Sequence, residues 1–123
     1  MDRDPCVFCC CREYVSENNL AFAIYDKYPV SPGHMLIIPK RHVSSFFETT
    51  AEEKVALLDL LAECREALIN ERHPDGFNIG INDGQPAGQT VMHLHIHLIP
   101  RYTGDIENPR GGVRGVIPEK RVY

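Results

Sequence analysis

Apolar positions along this chain fall in short runs separated by turn residues, with one long exception. Leu20-Ala21-Phe22-Ala23-Ile24-Tyr25 and Met35-Leu36-Ile37-Ile38 are compact runs of the kind that form buried strands. The first is expected to pair with a short strand near Glu13-Tyr14-Val15, with Glu17-Asn18-Asn19 turning between them. Pro29, Ser31, Pro32 and Gly33 connect the two runs, and Pro39 closes the second. Thr50-Ala51-Glu52-Glu53 has the T-x-x-E form of a capping box and predicts a helix from there to about Arg72. Leu57, Leu61, Cys64 and Leu68 recur at helical spacing, with Leu58 and Ala62 widening the stripe, and Pro74-Asp75-Gly76 stops it. Phe77 to Asn82 reads as a strand, Asp83 to Thr90 as a Gly-rich loop, and Val91 to Ile99 as a further strand. Pro109, Gly111, Gly112, Gly115 and Pro118 make the rest loop. Strands in meander order with one long helix predict an α+β fold: an antiparallel sheet of about five strands with the helix packed on one face.

The last predicted strand carries the chemistry. In His93-Leu94-His95-Ile96-His97-Leu98-Ile99 three of the six histidines alternate with large apolar residues. Successive strand side chains point to opposite faces. His93, His95 and His97 therefore share one face, while Leu94, Ile96 and Leu98 anchor the other. Imidazole titrates near neutrality and serves as nucleophile, proton carrier or metal ligand. Three readings compete: half-exposed polar residues, a zinc site of alternate histidines, and nucleophilic attack on phosphorus by the central histidine through a phosphoramidate. Spacing alone does not separate the second from the third. The preceding Gly80-Ile81-Asn82-Asp83-Gly84-Gln85-Pro86-Ala87-Gly88-Gln89-Thr90 has the glycines to offer backbone N–H groups to an anion. It is not a Walker A loop, because no Gly-Lys-Ser/Thr follows.

Composition narrows the class. One hundred and twenty-three residues, 43% hydrophobic and 24% charged, suit one ordinary globular domain. No apolar stretch is long enough to span a bilayer, and Met1-Asp2-Arg3-Asp4 does not resemble a signal peptide, so a cytoplasmic location without membrane partner is expected. The net charge of −4 argues against a nucleic-acid surface. From Arg101 to Tyr123, however, five basic residues outnumber three acidic ones, enough to meet a phosphate locally.

Five cysteines (Cys6, Cys9, Cys10, Cys11, Cys64) do not describe a disulfide framework. Cys64 falls within the helical stripe as a small core residue. Cys6-Val7-Phe8-Cys9 is a C-x-x-C pair without the βαβ context of a thioredoxin-like site, so zinc is the better reading, needing two further ligands. Because Cys10 and Cys11 follow directly, a register of Cys6 with Cys10 stays open.

The run His93 to Ile99 resembles the histidine-triad (HIT) signature, His-φ-His-φ-His-φ-φ with φ apolar, at every position. Asn82-Asp83-Gly84, Ala87-Gly88-Gln89-Thr90-Val91, Pro32-Gly33-His34 and Ile38-Pro39-Lys40-Arg41-His42 are similar to that family in order and spacing. The resemblance covers roughly residues 6 to 101. It implies one HIT domain over residues 1–123, with a cysteine segment at 1–12 and a flexible tail at 102–123. It also implies a nucleotide hydrolase or transferase acting at an α-phosphate, with no organic cofactor. His95 would be the nucleophile, His97 would contact the phosphate oxygens and assist the leaving group, and His34 would lie beside the triad. Asp26 matches the position that binds the ribose hydroxyls. Asn82, Gly88, Gln89 and Thr90 match positions around the phosphates. Ile24 and Leu36 line either the base pocket or plain core.

Bacterial relatives of this kind complete the cysteine pair with the histidine after Ile-Pro-Lys and the first triad histidine. Here those are His42 and His93, implying a structural zinc on Cys6, Cys9, His42 and His93. His97-Leu98-Ile99-Pro100-Arg101 is closer to the dinucleoside-polyphosphate branch than to the phosphoramidase branch, which tends to have glycines after the triad. A purine nucleotide substrate and a homodimer, built by sheet extension and helix packing, are further implications. The tail's arginines, Arg110 and Arg114, either close over distal phosphates or a partner subunit's pocket, or belong to a disordered end. Two rival functions stay open: a non-catalytic, zinc-stabilised nucleotide-binding adaptor, and a metalloenzyme with its metal on His95 and His97.

Overall fold

A computed structural model describes residues 6–123. The first five residues, including Met1 to Asp4, lie outside the described residues. Five strands form one sheet: β1 (Ser16–Glu17), β2 (Ala21–Tyr25), β3 (Met35–Pro39), β4 (Gly76–Gly80) and β5 (Ile96–Arg101). Their spatial order is β1-β2-β3-β5-β4, with every neighbouring pair antiparallel. The helix α1 (Ala51–Arg72) joins β3 to β4, so β5 returns between them. The expected α+β architecture is present.

The first strand lies slightly later than the sequence pattern places it. Asn18 sets the hairpin: its Oδ1 accepts from the N–H groups of Leu20 (3.1 Å) and Ala21 (2.9 Å), which draws the turn past Glu17. Glu17 therefore joins the ladder opposite Phe22.

The predicted capping box starts α1. Thr50 Oγ1 accepts from Glu53 N–H at 3.0 Å, and Glu53 Oε1 accepts from Thr50 N–H at 2.8 Å. The helix ends where expected, with His73 in the left-handed conformation donating its N–H to Ile69 O. Its buried stripe is Glu53, Leu57, Leu60, Cys64 and Leu68. Leu61 is only partly buried, and the predicted Leu58 and Ala62 face outward. At roughly 100° per residue, Leu58 and Ala62 sit about 100° and 140° from Leu57, beyond the strip that meets the sheet.

The sheet has two apolar faces. Ala21, Ala23, Met35, Ile37, Leu94, Ile96 and Leu98 pack under the helix. On the opposite face Phe22, Leu36 and Ile38 gather with Phe8, bringing the cysteine segment over the sheet. Cross-strand partners share a face, so the register Ile24↔Leu36 and Leu36↔His97 runs one row across it.

The regular part of the histidine strand is shorter than predicted. β5 begins at Ile96, leaving His93 and His95 in irregular chain before it. The cause is β3, whose ladder with β5 covers only Met35 to Ile37. It ends at Pro39, which has no N–H to donate, and Leu94 N–H instead bonds Val43 O at 2.7 Å. The alternation survives: Leu94, Ile96 and Leu98 are all core residues. Beyond β5 the tail is not plain loop, forming short 3-10 turns at Gly112–Val116 and Pro118–Lys120.

Candidate active site and metal centre

Four side chains converge where the cysteine segment crosses the start of the histidine segment. Cys6 Sγ lies 3.3 Å from His93 Nδ1, and Cys9 Sγ lies 3.2 Å from His42 Nδ1. His42 Nδ1 and His93 Nδ1 are 3.2 Å apart, and all four ligand atoms lie within 4.8 Å of one another. Tetrahedral zinc bonds of about 2.3 Å to sulfur and 2.0 Å to nitrogen put ligand atoms roughly 3.3 to 3.8 Å apart, so the set fits that ion. A second observation agrees. His93 Nε2 is 2.8 Å from the Pro39 carbonyl, which can only accept, so the proton is on Nε2 and the Nδ1 lone pair faces the cluster. Metal-bound histidines characteristically donate their other N–H in this way. His93 is fully buried, and burial pulls its pKa down and keeps it neutral as a ligand must be. Of the four N-terminal cysteines only Cys6 and Cys9 join the group.

The same reasoning assigns the other two triad histidines. His95 Nδ1 is 2.9 Å from the His93 carbonyl, so Nδ1 holds the proton and Nε2 keeps its lone pair. The chain beside His97 runs in the opposite sense. Val30 N–H, which can only donate, points at His34 Nδ1 at 3.0 Å. Neutral His34 therefore has its proton on Nε2, which donates to His97 Nδ1 at 3.0 Å with Asp26 Oδ2 at 3.4 Å. His97 consequently has its own proton on Nε2. A second proton on His97 Nδ1 would confront that of His34, and burial together with His95 and His34 holds its pKa down to about 4. Burial lowers that of His34 as well, against Asp26.

Asp26, His34 and His97 are close enough to suggest a second metal group. The donor pattern does not suit one: His34 Nε2 carries a proton and His97 Nδ1 is engaged by it. The pair of His95, with a free lone pair, and His97, with a free N–H, suits attack and hydrogen-bond donation. Their ring centroids are 5.1 Å apart.

The β2–β3 connection is built to hold this geometry. Asp26 N–H donates to His34 O, Asp26 Oδ1 accepts from Tyr28 N–H, and Ser31 Oγ donates to Pro100 O on β5. Gly33 has φ +92°, and a Cβ there would come 2.7 Å from Arg72 Cδ, which explains the glycine before His34.

The Gly-rich loop is held by hydrogen bonds of its own. The N–H groups of Gly84, Ala87, Gly88 and Gln89 all bond within the loop, leaving none of these four for an anion. Gly88 is required for its φ of +101°. Gln89 is buried, its Oε1 accepting from Gly84 N–H and its Nε2 donating to Ser44 O and Val91 O. Its side chain shapes the loop from inside. Thr90 is exposed and Asn82 half-buried. Leu36 is buried and Ile24 half-buried in the cross-strand row that includes His97.

Sequence reasoning missed Phe8, Val30 and the carbonyls of Pro39 and His93. Main-chain groups have no side-chain signature. Phe8 was visible only as the apolar residue between two cysteines.

Fold and site together define an α+β protein with an alternating histidine triad beside a Cys2His2 cluster. The chain belongs to the HIT family: the HIT domain model matches residues 12–104. It is 45% identical over 91 residues to a bis(5'-adenosyl)-triphosphatase from Dictyostelium discoideum, covering 72% of this chain and 60% of that protein. It is 36% identical over 92 residues to an AP-4-A phosphorylase from Mycobacterium tuberculosis, covering 74% of this chain and 47% of that protein. The chain thus spans about half the length of that phosphorylase. A zinc-bound histidine triad family protein from Mycobacterium smegmatis has the same fold, with a TM-score of 0.76, 34% identity, and coverage of 84% of this chain and 79% of that one. Among the described residues no helix is long and apolar enough to cross a membrane.

Proposed function

We propose that this chain is a nucleotidyl hydrolase. It cleaves dinucleoside polyphosphates or related AMP derivatives at the α-phosphate through a nucleotidyl-histidine intermediate on His95. The observation that carries the reading is the hydrogen bond from His95 Nδ1 to the His93 carbonyl, which leaves the Nε2 lone pair for attack. The Nε2 lone pair attacks the α-phosphorus, a P–N bond forms, and the P–O bond to the leaving phosphate breaks with its electrons on that oxygen. Water then attacks the same phosphorus, the P–N bond breaks, and His95 recovers its lone pair as the nucleoside monophosphate departs. His97 Nε2–H donates to a phosphate oxygen as charge spreads over it. His34 holds His97 in that tautomer.

Asp26 accepts from the ribose hydroxyls. Ile24 and Leu36 flank a purine. Asn82 and Thr90 approach the phosphates, with Gly88 and Gln89 maintaining the loop. Cys6, Cys9, His42 and His93 would hold a structural zinc, whose chemistry is to cross-link the cysteine segment to the sheet. The AP-4-A phosphorylase and bis(5'-adenosyl)-triphosphatase names among the relatives support nucleotide substrates. The single HIT domain over 1–123, the homodimer and the cytoplasmic setting belong to the same proposal, as does the tail at 102–123 closing over distal phosphates.

The test is mass spectrometry of rapidly quenched protein with a diadenosine polyphosphate, wild type beside His95→Ala. An adenylyl adduct on His95 in the wild type alone, with turnover abolished and nucleotide binding retained in the variant, is the expected result. Turnover near wild type in His95→Ala overturns the mechanism, and absence of any adduct or product points to a binding protein.

A further inference from the structure

The zinc-ligand segment and the candidate nucleophile meet through one side chain. Phe8 lies between Cys6 and Cys9 and is buried on the site face with Phe22, Leu36 and Ile38. Its ring centroid is 5.7 Å from that of His93, edge-on at 86°. It is 5.2 Å from that of His95, at 63°. Both are within the range of favourable edge-to-face contacts.

His95 needs such a support. Its ring has one hydrogen bond, from Nδ1 to the His93 carbonyl, and it precedes the regular ladder of β5. One hydrogen bond defines a direction and leaves the ring free to pivot about it. The Phe8 ring, 5.2 Å away, packs against the imidazole and restricts that pivot, with His97 at 5.1 Å as the other ring in contact. Phe8 is itself held at both ends, because Cys6 and Cys9 point into the Cys2His2 cluster and its carbonyl accepts from Cys11 N–H at 3.2 Å. His93 completes the linkage: its side chain belongs to the cluster and its carbonyl holds His95.

We propose that Phe8 is a positioning residue for His95, and that through it the Cys2His2 cluster controls the orientation of the nucleophile. The inference rests on His95 being that nucleophile. A bound metal keeps the Cys6–Cys9 segment folded, the segment keeps Phe8 against the ring, and the ring keeps Nε2 in line for attack. Misplacing a reacting group by about 1 Å costs roughly 100-fold.

The test compares wild type, Phe8→Ala and Phe8→Leu, each purified with zinc. Bound zinc and melting temperature are measured first, then KM, then the single-turnover rate of His95 adenylylation at saturating diadenosine polyphosphate. Nitrogen-15 spectra of the imidazoles are recorded without nucleotide. Phe8→Ala is expected to retain one zinc and to change KM less than about 3-fold, while adenylylation slows about 10- to 100-fold. Its His95 signals should broaden or double, and Phe8→Leu should recover part of the rate. Chelating zinc from wild type should give the same His95 spectrum, while chelation should change that spectrum little in Phe8→Ala. A rise in KM with an unchanged adenylylation rate makes Phe8 a base contact and overturns the proposal. So does a sharp, wild-type His95 spectrum in Phe8→Ala. Should that variant lose its zinc or fold poorly, Phe8→Leu, which keeps most of the volume, decides by the same readings. If wild type forms no His95 adduct, the nucleophile reading falls, and the imidazole spectra still decide whether Phe8 orients the ring.

Discussion

Glu53 ties the helix N-terminus to the segment that carries His42, and its removal has a size and a pH dependence that follow from its contacts. Its side chain is 5% exposed. It accepts from Thr50 N–H at 2.8 Å to complete the capping box, and Arg41 donates to both its oxygens, at 2.9 and 2.8 Å. Loss of a capping hydrogen bond costs about 1 kcal/mol. The pairing with Arg41 is discounted from the value of a buried pair because the guanidinium side is 51% exposed. The two contacts together put Glu53→Ala at about 2 kcal/mol. In a domain of this length that is a melting temperature lower by roughly 6–10 °C. Glu53→Gln retains an acceptor for Thr50 and should lose about half as much.

Arg41 first, then Thr50 N–H, hold the Glu53 carboxyl down from its ordinary 4.5 to about 2. Because the folded value is the lower one, the contribution is fully present above pH 4.5. It is lost as pH falls toward 2, where the folded carboxyl also takes its proton. The assay is thermal melting of wild type and Glu53→Gln at pH 7, 5, 4 and 3. Protonation of the Cys2His2 cluster affects both proteins and cancels in the difference. The gap should narrow steadily below pH 4.5. A gap that stays constant to pH 3, or a Glu53→Ala melt within about 2 °C of wild type at pH 7, refutes the reasoning.

Two further outcomes are expected beyond those for His95 and Phe8. Chelating the proposed zinc should lower the melting temperature by more than the Glu53→Ala change, since a metal held by the cluster contributes directly to folding, and Cys9→Ser should abolish the difference between treated and untreated protein. His97 should stay neutral in a nitrogen-15 titration down to about pH 4; because the unfolded imidazole takes up its proton first, His97→Asn should lessen the loss of stability between pH 6.5 and 4.

Much of this was legible in the chain, and for a local reason. Capping boxes, strand alternation and C-x-x-C spacing act over a few residues, so Thr50 to Glu53, Leu94 to Leu98 and Cys6 to Cys9 announce a helix start, a two-faced segment and a sulfur pair without reference to the rest of the fold. Resemblance to a known family extended that to His42 and His34, which no local rule selects. What could not be read depends on contacts distant in sequence. The orientation of α1 was decided by the sheet beneath it, which chose Leu60 over Leu58 and Ala62. The start of β5 was decided by where β3 runs out at Pro39. The inward turn of Gln89 was decided by the carbonyls of Ser44 and Val91. The protonation pattern of the triad is the clearest case. Sequence supplied three equivalent imidazoles, and the tertiary structure made them different. His93 is directed to the cluster by the Pro39 carbonyl, His95 is left with a free lone pair by the His93 carbonyl, and His97 is left with a free N–H by His34 and Val30. A histidine's tautomer is set by the donor or acceptor that faces it, and only the folded chain brings those groups into place.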